Sequence, residues 1–342
     1  MNVEPWRHEF DVAVRAVREG ARLARGIRQR MSGPAFLKAD RSPVTVADFA
    51  VQALVAHRLR QAFPDDPVVA EEDSAPLRTA EGRAILQSVV NALQSVAPEL
   101  ASATDPPPVF DAIDRGAGTP GERFWTLDPI DGTQGFVRGD QYVVALALIV
   151  RGRVALGILG CPGMALTVEG TGADRPGAVL AAVRGRGAYR SSLTADAWVP
   201  VRVSSCADPR KARVLRSVEG EHIDLDTFNR VMFAMNVEAS PILMDSQAKH
   251  AVIAAGLADL MIRTPATRAF RDKIWDQAAG SIVVEEAGGR VSDLRGRDLD
   301  FGTGRSLSRN EGVVVSNGHL HEAVLAAIRA DQGPHPTAHL NA

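Results

Sequence analysis

The sequence predicts a mixed α/β and α+β protein built from two packed parts. Three observations carry that expectation. Apolar residues recur at helical spacing over the first 30 residues and again over 51–63. Short apolar runs at 68–70, 125–127, 142–150 and 154–159 have the length of strands and end at turn-forming residues. Beyond residue 161, strand-like and helix-like segments alternate, the pattern of an α/β layer. The chain has 342 residues, more than one compact core usually takes. Two parts sharing one body are therefore expected, 1–160 and 161–330, with 331–342 as a disordered tail.

The elements follow in order. Phe10, Val14, Val17, Ala21 and Ala24 line one helical face. Val51, Leu54, Val55, Leu59, Ala62 and Phe63 form a second stripe, which Pro64-Asp65-Asp66-Pro67 stops. Residues 68–70 form a short strand with Glu71-Glu72-Asp73-Ser74 at its end. A helix is expected over 84–96. The Pro-, Gly- and Asp-rich stretch 98–122 reads as a long loop with a short turn inside. A buried strand at 125–127 ends at Asp128-Pro129-Ile130-Asp131-Gly132-Thr133. The runs on either side of Arg151-Gly152-Arg153 read as a hairpin. Further strands are expected around 166–169, 179–183, 199–203, 214–217, 258–262 and 313–316, with helices at 226–235, 246–255 and 319–330. Asp276 is expected to open a helix that runs to Ala287, where Gly288-Gly289 ends it. The boundary near 160 reads as a packing seam, not a tether.

Composition narrows the function classes. Hydrophobic residues make up 45% and charged residues 23%, the balance of a soluble globular protein. A net charge of −2 offers no bulk attraction to nucleic-acid polymers or anionic membranes. An anionic substrate must then be captured by a metal or by a few placed cations. Nearly all the basic residues are Arg; the only lysines are Lys38, Lys211, Lys249 and Lys273. Cys161 and Cys206 form no CxxC pair, so neither a disulfide framework nor a zinc site is expected, and a reducing cytoplasm fits. The N-terminus has no apolar signal core, and no stretch reaches the roughly 18 apolar residues of a membrane span.

The chemistry concentrates in three acidic clusters. Asp128 and Asp131 stand three apart on a turn enforced by Pro129 and Gly132, where they can converge on one cation and Ile130 leaves its carbonyl as a further oxygen. Such hard oxygen donors suit Mg²⁺. Taken alone, D-P-x-D-G is as readily an ordinary Asx turn. Alone, Asp276 is an N-cap and Glu71-Glu72 a solvated loop. All three lie at element ends after apolar residues, which fits one metal site better than coincidence.

These segments, in this order, resemble the signatures of the lithium-sensitive, magnesium-dependent phosphatases of the inositol-monophosphatase superfamily. The matching stretches are Glu71-Glu72-Asp73-Ser74, Asp128-Pro129-Ile130-Asp131-Gly132-Thr133, and Trp275-Asp276 followed by Gly288-Gly289. The resemblance covers roughly 8–328. It implies a layered αβαβα sandwich of the inositol-monophosphatase/sugar-phosphatase type, with the site at the seam. It also implies two or three Mg²⁺ ions held by Glu71, Asp128, the Ile130 carbonyl, Asp131 and Asp276, with Asp128 bridging. Thr133 would orient the attacking water, paired with Asp48 of Ser42-Pro43-Val44-Thr45-Val46-Ala47-Asp48, and Glu71 is an alternative base. By spacing alone Asp48 reads as a surface carboxylate. The match reverses that.

A narrower resemblance is to the 3′(2′),5′-bisphosphate nucleotidase branch, which converts 3′-phosphoadenosine 5′-phosphate to AMP. It rests on Asp131-Gly132-Thr133-Gln134-Gly135-Phe136-Val137-Arg138-Gly139, with Gln134 where the branch has Lys. It rests also on Val218-Glu219 with His222, on Asp245-Ser246-Gln247-Ala248-Lys249, and on Leu299-Asp300-Phe301-Gly302-Thr303-Gly304-Arg305. By this resemblance Gly132, Thr133, His222, Ser246, Lys249, Arg263 and Asp276 contact the substrate, with a cation away from the metals for the second phosphate. Each residue alone has a plainer reading: a surface His, a helix ion pair between Asp245 and Lys249, an Arg305 that ties down a Gly-rich loop. An acidic group from 110–114 near the metals is a weaker expectation.

The expected partner is a small adenosine bisphosphate, with no nucleic-acid polymer and no membrane, and the chain is read as a monomer with a dimer as the alternative. The rival activities are an inositol-phosphate phosphatase, more remotely a fructose-bisphosphatase, and, from another class, a catalytically silent metal- or nucleotide-sensing scaffold. The absence of G-x-x-x-x-G-K-[ST] excludes a nucleotide-triphosphate motor.

Overall fold

The computed structural model describes residues 1–30, 36–37, 43–102, 107–164, 166, 177–218, 223–267 and 269–332. His222, Ser42, most of the strand expected at 166–169 and the tail from 333 onward lie outside the described residues.

Helix α1 (Arg7–Arg30) buries the predicted stripe, Phe10, Val14, Val17, Ala21 and Ala24. Two-residue strands β1 (Phe36–Leu37) and β2 (Pro43–Val44) pair antiparallel ahead of α2 (Val46–Ala62). Thr45 caps α2 in a capping box with Asp48. Then come β3 (Val68–Ala70), α3 (Arg83–Leu93), α4 (Pro108–Asp114), β4 (Arg123–Asp131) and α5 (Thr133–Arg138). Strands β5 (Val143–Val150) and β6 (Arg153–Cys161) form the expected hairpin. Its turn residues Arg151 and Gly152 sit at φ +50° and +73°, the left-handed pair a two-residue hairpin turn demands. Strands β7 (Ala178–Val183), β8 (Ala188–Ser192) and β9 (Val199–Pro200) continue the meander. The remainder is β10 (Val214–Arg216), α6 (Leu225–Ala234), β11 (Ile242–Leu243), α7 (Ala248–Ala254), β12 (Leu260–Arg263), α8 (Ala278–Glu286), β13 (Arg290–Ser292), β14 (Val313–Ser316) and α9 (His321–Gln332).

Besides the β1-β2 pair, seven strands form a large sheet in the order β3-β4-β5-β6-β7-β8-β9, and five form a smaller one, β11-β10-β12-β14-β13. Alternation along β5 shows how the layers arise. Val144, Leu146 and Leu148 enter a core shared with α1 and α2, while Val143, Ala145, Ala147 and Ile149 enter one shared with α7 and α8. On β12, Met261 faces that same inner core, while Leu260 and Ile262 face a third one under α6 and α9. The stack is thus α1/α2, large sheet, α7/α8, small sheet, α6/α9, the expected αβαβα sandwich.

Four local expectations change. The 98–122 stretch contains α4, a two-turn helix begun by Pro108, because Val109, Phe110, Ala112 and Ile113 bury against α2. Strand β4 does not stop before Asp128 but runs through Asp131 with an irregularity. Asp276 precedes α8, which begins at Ala278 after Gln277. The seam expected at residue 160 lies inside the seven-stranded sheet, since β7, β8 and β9 pair onto β6; the division between sheets comes after β9.

Candidate active site

The irregularity in β4 builds the site. Asp128 pairs with Ala145 and Asp131 with Val143, so three steps along β4 match two along β5. In a regular strand, residues three apart point to opposite faces. The extra residue puts Asp128 and Asp131 on the same face. Pro129 has no N–H for the ladder, which favours the break there. Ala145 and Val143 face the inner core, so both carboxylates point toward the α7/α8 layer. Strand β3 runs parallel to β4 with Ala70 opposite Leu127, and Glu71 follows one residue on, alongside Asp128.

Helix α2 braces this edge from behind. Gln52, one turn after Asp48, donates to the Glu72 carbonyl at 2.6 Å and accepts from the Glu72 N–H at 3.0 Å. Asp48 is buried, and its Oδ2 accepts from Thr45 N at 2.8 Å and Thr45 Oγ1 at 2.6 Å. Its Oδ1 accepts from Thr133 Oγ1 at 3.1 Å, so the two residues paired in the sequence reading are paired in space. The single Thr133 hydroxyl proton has a second acceptor, the Ile130 carbonyl, also at 3.1 Å. Asp114 does not enter the site. It accepts from Ser74 N and Ser74 Oγ, both at 2.7 Å, and so anchors the end of the acidic segment.

The other wall comes from the second half of the chain. Gln247 donates its backbone N–H to Asp131 Oδ2 at 2.6 Å and its side-chain amide to the Trp275 carbonyl at 3.0 Å, and accepts from Gly280 N at 2.9 Å. It therefore ties Asp131 to the segment that carries Asp276. Lys249 is buried; its Nζ donates to Ser217 Oγ at 3.2 Å and the Met244 carbonyl at 3.1 Å. Asp245 does not form the helix ion pair with Lys249. It pairs with Arg138 and accepts from Val218 N at 3.0 Å. Arg263 pairs with Asp272 at 2.8 Å. Its guanidinium also lies 5.5 Å from the Phe270 ring centre.

Glu71, Asp128, Ile130, Asp131, Gly132, Thr133, Ser246, Lys249, Arg263 and Asp276 all line one cleft of about 280 Å³, together with Gln134 and Ser217. Every described site residue from the sequence reading except Asp48 is on its wall, and Asp48 stands directly behind Thr133. Gly132 is there for a steric reason. Its φ is +88°, and a Cβ on it would meet Ser246 Cβ at 2.8 Å. Gly132→Ala is expected to cost about 1–3 kcal/mol in backbone strain alone. A denaturation midpoint equal to that of the parent protein would contradict this.

The electrostatics are those of crowded carboxylates. Burial pushes the Asp128 carboxyl well above its usual range, and the neighbouring charges of Glu71, Asp131, Asp276 and Asp48 push it further. Burial raises Asp131 too, against the pull of the Gln247 N–H and Lys249. Asp276 is pushed up to about 8, by burial first, with Arg263 opposing and Asp131 adding. Opposite them, burial lowers Lys249 to about 8. Asp128 Oδ1 is buried with no hydrogen-bond partner among the described residues. Among the described residues, no three Asp, Glu, His or Cys side chains close round one point as a finished cage. The cleft instead brings mutually repelling carboxylates together with Lys249 and Arg263.

Sequence reasoning missed the braces. Gln52 carried a weak signal, a lone amide among apolar residues one turn from Asp48. Gln247 stood inside a quoted motif with no task assigned to it.

Fold and cleft together define a two-sheet layered sandwich with an acidic site at the seam of the sheets. A family model described as the inositol monophosphatase family matches residues 7–332. The chain belongs to the inositol monophosphatase family, whose members are generally metal-dependent. It is 37% identical to a Schizosaccharomyces pombe protein named 3′(2′),5′-bisphosphate nucleotidase, over 96% of this chain and 97% of that one. It is 38% identical to an Oryza sativa protein of the same name, over 95% and 94%. Among solved structures, a Thermotoga maritima IMPase superimposes with a TM-score of 0.65 at 22% identity, covering 94% of this chain and 96% of that one. Among the described residues no helix is long and apolar enough to cross a membrane.

Proposed function

We propose that the chain is a Mg²⁺-dependent phosphatase that removes the 3′- (or 2′-) phosphate from adenosine 3′,5′-bisphosphate, giving AMP and phosphate. The observation that carries this reading is the near-full-length match to proteins named as bisphosphate nucleotidases. The cleft supports it, because a bisphosphate needs two anion-binding groups, and carboxylates that suit a cation share one pocket with Lys249 and Arg263.

The donors fit a hard divalent cation. Asp128 Oδ1 is a buried oxygen without a partner among the described residues, and a positive charge relieves the repulsion that raises Asp128 and Asp276. Glu71, Asp128, the Ile130 carbonyl, Asp131 and Asp276 would hold two or three such ions. When bound, Mg²⁺ supplies charge neutralisation for the phosphoryl oxygens and acidifies water.

The chain's own residues do the rest. Thr133 Oγ1 donates to Asp48 Oδ1, which leaves its lone pairs to accept a proton from the attacking water. The Thr45 bonds occupy Asp48 Oδ2 and aim Oδ1 at Thr133, so a proton passes from water to Thr133 and on to Asp48. Lys249 spends two N–H bonds on Ser217 and Met244, and the third serves the second phosphate, with Ser246 and Arg263 beside it. Holding that remote phosphate positions the reacting ester. His222 is assigned to the base. Two free cysteines suit a reducing cytoplasm, where we place the reaction.

Lys249→Met tests the two-ended cleft. The KM for the bisphosphate is expected to rise about 10–100-fold, the worth of a charge-assisted bond. The KM for a nucleoside 3′-monophosphate should change little. Equal effects on both substrates would remove Lys249 from the second-phosphate site.

A further inference from the structure

The acidic wall is assembled from the large sheet and from the helix layer packed on it. Glu71, Asp128 and Asp131 come from the large sheet, and Asp276 comes from the segment ahead of α8. Something must set the spacing between them. Gln247 ties Asp131 to Trp275. A second tie runs through Arg305, for which the sequence suggested only a local loop role.

Arg305 lies in the loop between β13 and β14. This loop's backbone is bonded to the Asp276 segment: Ile274 N donates to the Arg305 carbonyl at 3.2 Å, and Leu307 N donates to the Asp272 carbonyl at 2.9 Å. Lys273 and Ser306 form an antiparallel bridge between them. The Arg305 guanidinium stacks on Trp275, 4.8 Å from its ring centre. From there it crosses the seam. Nη2 donates to the Ala70 carbonyl, and Nη1 donates to the Gly116 carbonyl at 3.1 Å. Ala70 immediately precedes Glu71, and Trp275 immediately precedes Asp276. Gly116 in turn accepts from Ala70 N at 2.8 Å, so the fork holds both chains that flank the end of β3.

We propose that Arg305 is a positioning residue, a planar fork that clamps the Glu71-bearing end of β3 to the Asp276-bearing segment and so sets the spacing of the carboxylates that would hold divalent cations. The inference rests on the metal-dependent reading of the site. Two divergent carbonyls and one aromatic face suit a guanidinium and not an ammonium, which cannot fork and stack at once. A misplacement of about 1 Å in such a site costs on the order of a hundredfold in rate.

The test is Mg²⁺ binding to the full chain by calorimetry without substrate, alongside the Mg²⁺ dependence of bisphosphate hydrolysis. The proteins compared are the parent, Arg305→Met, Arg305→Lys and Arg297→Met. Arg297 pairs with Asp293 in the same loop and serves as the control for loop stability. Arg305→Met is expected to weaken Mg²⁺ binding and raise the half-activating concentration by about tenfold or more, with the nucleotide KM at saturating Mg²⁺ within about twofold. Arg305→Lys should fall between Met and parent, and it decides the matter if Arg305→Met fails to fold. Arg297→Met should match the parent. Parent-like Mg²⁺ binding in both Arg305 variants, whatever their melting temperatures, would reduce Arg305 to a structural brace. A parent protein that binds no Mg²⁺ would overturn the metal reading, and the clamp with it.

Discussion

Asp128→Asn is expected to lower turnover by about a thousandfold or more while raising the melting temperature of the metal-free protein. The rate loss follows from removing one charged oxygen at the centre of the acidic wall, worth about 4 kcal/mol of transition-state stabilisation. The stability gain follows from the same crowding. The Asp128 carboxyl is raised by burial and by Glu71, Asp131, Asp276 and Asp48, so in the absence of cation its charge destabilises the fold. The pH dependence has a definite sign. Asp276, at about 8 in the folded chain, binds its proton more tightly there than in the unfolded chain, where 3.8 applies. Its stabilising protonation is complete below the unfolded value and is lost as pH rises through about 8. Scanning calorimetry in chelator should therefore give a lower melting temperature at pH 8 than at pH 6. Mg²⁺ should close the gap, and Asp128→Asn should narrow it. A metal-free protein equally stable at both pH values would contradict this electrostatic picture.

Asp48→Asn carries the second-largest effect, a loss of about 10²–10⁴ in kcat, the range of a general base. The carboxylate accepts from Thr45 N, Thr45 Oγ1 and Thr133 Oγ1 with two oxygens, and an amide offers only one. One bond is lost, for about 1 kcal/mol of stability. KM and Mg²⁺ affinity should stay close to parent, because Asp48 stands behind Thr133, off the cleft wall. Thr133→Val should cost a similar factor, and the double variant little more, as for residues that act as a unit. Near-normal turnover in Asp48→Asn would remove it from the mechanism and move the base to Glu71.

What could be read in the sequence was what is local. The α1 stripe and the β5–β6 hairpin declare themselves by period and turn chemistry. The acidic wall was readable as residue types and order, and Asp48 with Thr133 by resemblance. The bulge in β4 was hidden, because a register shift exists only relative to a partner strand. Helix α4 was hidden because Pro and Gly flank a short apolar core that looks like loop. The braces were the least legible. Arg305 acts on Ala70, 235 residues back along the chain, and no spacing rule reaches that far. The split between sheets was misplaced for a related reason, since strand pairing, unlike strand formation, is decided by tertiary packing.

The most direct measurement is phosphate release by the purified chain from 3′-phosphoadenosine 5′-phosphate and from inositol 1-phosphate at equal concentration, each with Mg²⁺ and with chelator. The account predicts Mg²⁺-dependent release with a strong preference for the nucleotide. A preference for inositol 1-phosphate would contradict the two-ended reading of the cleft, and release unaffected by chelator would contradict the metal site on which the account rests.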